Sequence, residues 1–107
     1  MEVDSISLNN NELTLDLVNH LVNDGHRYIG GIFTCMANTP GRERFDGYVQ
    51  ALKVNDLPFL PQLVRHGPPH EQDGYRFAMD LLKLPDHPTA LVVTDHLMAT
   101  GVLRVIR

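Results

Sequence analysis

Tryptophan is absent from these 107 residues, and aromatic residues of all kinds make up only 7%. A single cysteine, Cys35, excludes an internal disulfide and any metal site built from several thiolates. No apolar run approaches the ~20 residues that a membrane-spanning helix needs. Basic charge is also scarce: nine Lys and Arg, scattered along the chain, stand against thirteen Asp and Glu, for a net charge of −4. Without a basic stripe there is no electrostatic footprint for nucleic acid. The acidic excess is too small to signal a disordered tail. The opening Met1-Glu2-Val3-Asp4 lacks the basic and apolar regions of a secretory signal. G-x-S-x-G, the P-loop, G-x-G-x-x-G and H-E-x-x-H do not occur, which removes the common sequence signs of a hydrolase, a nucleotide-binding enzyme or a zinc protease.

What remains is ordinary: 43% hydrophobic and 21% charged residues, enough for one globular domain and not for two. The most informative stretch runs from Pro88 to Leu103. Ala90-Leu91-Val92-Val93 is apolar without alternation, which is how a strand covered on both faces reads. It stops at Asp95, and helical spacing follows at once, predicting a helix over 97–106. Earlier in the chain, Val3 to Leu8 alternates as a short strand. Asn9 and Glu12 have capping-box spacing. Leu13, Leu17, Val18, Leu21 and Val22 predict a helix over 12–24, stopped by Gly25. Tyr28 to Phe33 reads as a strand whose paired Gly30 and Gly31 would admit a closely packed helix. Phe45, Tyr48, Val49 and Leu52 mark a helix over 42–55. Phe59 to Arg65 is a weak strand interrupted by Pro61. Tyr75, Ala78, Met79 and Leu82 mark a helix over 71–83.

Alternating strands and helices joined by short loops predict βαβ units. The expected fold class is α/β, a three-layer αβα arrangement around a mostly parallel sheet. The chain ends inside a helix with no stop signal, and one short strand precedes its first helix. Both features read as a piece of a larger α/β protein.

Candidate chemistry is sparse. His20, His26, His66, His70, His87 and His96 form no ligand pair and read as solvated loop residues, so no metal is expected. Cys35 follows a strand but has no activating His or acid nearby, and reads as an inert thiol. Arg42 and Arg44 stand where the sheet's carboxyl rim should lie. Arginine suits bidentate bonds to vicinal hydroxyls or a carboxylate, and equally a solvated helix end. Asp95 ends a buried strand, so it must be bonded, either as a helix N-cap or by ligand hydroxyls. An arginine and polar acceptors on a rim, with no nucleophile or acid–base pair, describe binding rather than catalysis. No catalytic residue and no cofactor are expected.

Three stretches carry a family resemblance. His20 to Ile32 (His-Leu-Val-Asn-Asp-Gly-His-Arg-Tyr-Ile-Gly-Gly-Ile) resembles the "HL…GHRRIAFI" segment of LacI/GalR family transcriptional regulators. Arg44 to Leu52 is similar to their "R..GY..AL", and Thr89 to Arg104 to their "PTAIF..ND.MA.G.LR". The three occur in the family's order and cover nearly the whole chain. The resemblance implies part of an effector-binding domain of the type I periplasmic-binding-protein fold, mostly its C-terminal subdomain, with the helix-turn-helix absent. It implies a cytoplasmic regulator that responds to a sugar or nucleoside-like effector, reaches operator DNA only through a domain missing here, and is a homodimer when intact, with no membrane partner. By position in the motifs, Arg44, Asp95, Asn38 and His96 would contact effector. Asp95-His96 stands where the family carries Asn-Asp, and Pro69 falls near a position that often holds a stacking aromatic. The alternative is a fragment of the sugar-binding protein of an ABC transporter.

Overall fold

The computed structural model describes residues 5–8, 14–34 and 39–106. Four strands, β1 (Ser5–Leu8), β2 (Ile29–Phe33), β3 (Val64–His66) and β4 (Ala90–Val93), alternate with four helices, α1 (Thr14–Asn23), α2 (Thr39–Val54), α3 (Glu71–Leu82) and α4 (His96–Ile106). All strand pairs are parallel, in the order β1-β4-β2-β3. The last strand thus lies between β1 and β2, with Ala90 beside both Ser5 and Ile29.

Both faces of the sheet are covered, which accounts for the unbroken apolar runs. On one face Val18 and Leu21 of α1, with Tyr48, Ala51 and Leu52 of α2, pack on Ile29, Phe33, Val64, Ala90 and Val92. On the other, Phe77, Ala78 and Leu81 of α3, with Met98, Ala99 and Val102 of α4, pack on Ile32, Leu91 and Val93. The period of two along β4 sends Ala90 and Val92 to one layer and Leu91 and Val93 to the other. All four are fully buried, and each large aliphatic so placed contributes about 1.5–3 kcal/mol relative to exposure. The expected αβα class and parallel sheet are as observed.

Four details differ from the sequence reading. The segment 59–65 is not one strand: Pro61–Leu63 forms a 3-10 turn, with proline in its first turn, and β3 follows it. Proline lacks the amide a strand interior needs but fits where a helical turn begins. Second, α2 starts at Thr39 rather than near residue 42, since Pro40 is tolerated in a first helical turn. Third, α3 buries Gly74, Phe77, Ala78 and Leu81, whereas Tyr75 is exposed. Its buried stripe is rotated by one residue because Gly74 lets the backbone of α4 approach. Fourth, the space over Gly30 and Gly31 is not filled by a helix. A Cβ on Gly31 would meet the ring of Phe33, and one on Gly30 would lie 2.7 Å from Leu91 Cδ2. The glycines make room for side chains. The proposed capping box of Asn9 and Glu12 lies outside the described residues.

Helix α1 ends as Gly25 implies. Its φ is +102°, and the Gly25 and His26 amides donate to the Val22 and Leu21 carbonyls at 2.9 and 3.1 Å, the bond pair of a Schellman stop. Helix α2 closes in the same way without a glycine. Asp56 has φ +57°, and the Asp56 and Leu57 amides donate to the Lys53 and Leu52 carbonyls. A left-handed non-glycine residue is strained. Asp56→Gly is therefore expected to raise stability by about 0.5–1 kcal/mol, measured as a higher urea midpoint with an unchanged m-value. An unchanged or lower midpoint would mean that Asp56 bears no strain.

Candidate functional site

The carboxyl ends of β4, β2 and β3 stand side by side on one rim. Helix α2 leaves β2 on one face and α4 leaves β4 on the other. At adjacent strands whose chains depart to opposite faces the connections part and leave a crevice, the usual ligand position in open parallel sheets.

Arg44 and Asp95 both stand at this rim. From the second turn of α2, Arg44 Nη1 donates to the Thr94 carbonyl oxygen at 3.3 Å. Thr94 is itself buried, and its amide donates to the Ile32 carbonyl at 3.2 Å, continuing the β4–β2 ladder past the last strand residue. The guanidinium is thus held against the end of β4, at the residue that precedes Asp95, and Arg44 is half-buried. One carboxylate oxygen of Asp95 accepts from the Leu97 and Met98 amides at 2.9 and 3.1 Å, an N-cap that satisfies two donors of the first turn of α4. The carboxylate stays partly accessible. His96, the first residue of α4, is exposed on the same rim. Asn38 lies outside the described residues, as does Cys35. Arg42 takes the bland alternative: it is exposed and pairs with exposed Asp46 at 3.6 Å, a surface contact of little energetic consequence.

An aromatic group that sequence reading passed over sits beside the crevice. Phe33, fully buried at the end of β2, packs edge-on against Phe45 and Tyr48 with ring centroids 5.4 Å apart in each case. The His66 ring, at the end of β3, lies 5.7 Å from Phe33 and 5.2 Å from Phe45. Partial burial holds the His66 imidazole below its usual pKa, because the charged form is the one that desolvation disfavours. Tyr48 ties α2 to the sheet, donating its phenol hydrogen to the Ile29 carbonyl at 2.6 Å. Burial pushes that phenol well above the usual tyrosine pKa. A period-3.6 pattern finds Phe45 and Tyr48, but nothing local announces that residues 33 and 66 pair across strands.

The histidines are not all solvated. His26 is buried and its Nδ1 lies 2.8 Å from Thr89 Oγ1, a bond between the start of β2 and the start of β4, far from the rim in question. Among the described residues no cluster of three or more His, Cys, Asp or Glu is placed to hold a metal. No helix there is long and apolar enough to cross a membrane.

Residues 18–107 match the model of a family described as periplasmic binding protein-like domain. The chain is 32% identical over 103 residues to the HTH-type transcriptional repressor CytR of Escherichia coli K12, covering 96% of this chain and 30% of that protein. It is 30% identical over 87 residues to the repressor PurR of Mannheimia succiniciproducens, covering 81% and 26%. It thus spans less than a third of the curated relatives it matches. In fold it superposes on a LacI transcriptional regulator structure from Bacillus cereus subsp. cytotoxis with a TM-score of 0.85 at 26% identity, covering 94% of this chain and 36% of that one. A LacI-family regulatory protein from Chloroflexus aggregans gives the same TM-score at 24% identity, over the same shares of the two chains. These relatives are repressors and regulators by name, which does not favour the transporter alternative.

Proposed function

We propose, from the premise that this chain belongs to the periplasmic-binding-protein-like family as the effector-binding part of a LacI-type regulator, that its strand-end crevice receives a hydroxyl-rich small molecule, a sugar or a nucleoside. The observation that carries this reading is the placement of Arg44. A guanidinium half-buried against the end of a central strand, beside an accessible carboxylate, suits a polyhydroxylated ligand. The arginine donates in pairs to vicinal oxygens, and Asp95 accepts from a hydroxyl through the oxygen that the cap leaves open. His96 and Asn38 are proposed as further contacts. The proposed activity is binding and not catalysis.

On this reading the ligand biases the position of this subdomain relative to another, and operator DNA is touched only by a domain beyond these residues, in a cytoplasmic homodimer. Allostery of that kind requires the ligand to bind one arrangement better than the other. Calorimetric titration with a panel of pentoses, hexoses and nucleosides tests the site. Arg44→Ala is expected to weaken binding of the responding ligand by at least tenfold, the scale of one lost charge-assisted hydrogen bond. Asp95→Asn, which keeps the helix cap, separates ligand contact from capping, and it should weaken binding without lowering the thermal midpoint. Unchanged titrations for both variants would remove the crevice as the effector site.

A further inference from the structure

We propose that His66 is a stacking platform at the β3 side of the same crevice, and that the ligand it selects is a nucleoside, with the base on His66 and the ribose hydroxyls at Arg44 and Asp95. This inference rests on the reading of the crevice as an effector site and extends it to the ligand class.

Three observations converge on this ring. First, it is held from behind. Phe33 and Phe45 lie within 5.7 Å of it, Phe45 is backed in turn by Phe59 at 5.9 Å, and Phe33 is fully buried. The strand end is fixed by the Gly67 amide donating to the Phe33 carbonyl at 3.0 Å. Second, His66 is nonetheless exposed, so the side turned away from the phenylalanines is open. Third, among the described residues no group hydrogen-bonds its ring nitrogens. A neutral imidazole keeps one donor and one acceptor, and burial favours that neutral form here. A flat, pre-positioned ring with both edge functions open offers a face for stacking and an edge for hydrogen bonds, which a heteroaromatic base can use and a bare sugar uses less well.

The spacing suits the same ligand. In the order β4-β2-β3, the ends of β4 and β3 stand two strand spacings apart, roughly 10 Å. A base at one end and ribose hydroxyls at the other span such a distance.

The test uses the 107-residue chain with 13C-labelled histidine and 15N-labelled backbone, titrated with adenosine, cytidine and D-ribose. The expected result is a saturable upfield movement of the His66 ring protons with at least one nucleoside and none with ribose. The Asp95 and His96 amides should move with the nucleoside. His66→Ala should weaken that binding roughly five- to hundredfold, the range for loss of one base–aromatic stack, and His66→Phe should restore most of it. Restoration by phenylalanine would not follow from a merely structural histidine. Movement of the Asp95 and His96 amides with His66 silent overturns this inference and leaves the crevice reading standing. Silence at all three residues overturns both.

Discussion

Gly101→Ala is expected to destabilise the chain by about 2–3 kcal/mol, although alanine is the better helix former. Gly101 lies inside α4, where replacing glycine by alanine would by propensity alone add about 1 kcal/mol. The surroundings oppose this. A Cβ at Gly101 would meet the Glu71 carbonyl oxygen and come to 2.6 Å from the Tyr75 nitrogen. The relation is reciprocal, since a Cβ at Gly74 of α3 would meet the Met98 carbonyl oxygen, with Met98 Cα at 2.7 Å. Each glycine lies over the backbone of the other helix, and backbone cannot rotate aside as a side chain can. Relief requires the two helices to separate, which loosens Phe77, Ala78, Leu81, Met98 and Val102 together. Overpacking costs typically 1–3 kcal/mol, and here the obstructing atoms are the least compliant kind. Urea denaturation decides the sign: a midpoint at or above that of the parent would show that the helices do not cross in contact.

Phe33→Ala should cost more, about 3–5 kcal/mol for a fully buried aromatic. Its ring covers the space that Gly31 leaves over the sheet and touches Phe45, Tyr48 and His66. Truncation opens a cavity with glycine as its floor, where no neighbouring side chain on the strand can collapse inward. The loss extends to function, because Phe45 directly follows Arg44 on α2 and supports the approach of that helix to the rim. Phe33→Leu, which refills part of the volume, should recover at least half of the lost stability. A Phe33→Ala loss under about 1 kcal/mol would mean that the cluster is loosely packed, and it would remove the rigid backing that His66 needs.

The Gly101 and Phe33 cases show where local pattern stops being informative. Gly101 was visible as part of "MA.G.LR", yet its physical reason is the α3 backbone thirty residues earlier. In the sequence Phe33 is one more apolar strand residue, and the glycines before it suggest room for a helix. In α3 the stripe through Tyr75, Ala78, Met79 and Leu82 is a sound helical pattern, but the buried face is centred on Gly74, Phe77, Ala78 and Leu81. Periodicity gives an axis and a face only to within the breadth of the apolar arc, and Phe77 and Leu81 also fall within that arc. The neighbouring helix selects which residues are buried.

The sequence alone determined the element order, the αβα class, the burial of β4 on both faces and the Gly25 stop. All of these follow from composition and period within a dozen residues, where the governing interactions are local. It also supplied the three family-like segments and, in them, Arg44 and Asp95. Tertiary structure alone decided that β4 lies beside β2, so that Arg44 reaches Thr94 across 50 positions of chain and stands on the same rim as Asp95. It also decided that Asp95 caps α4 while keeping an open oxygen, that Arg42 remains in solvent, and that His66 joins Phe33 and Phe45. Such contacts depend on strand order, and strand order is set by which faces bury most completely together, a property of the whole chain that no single segment contains.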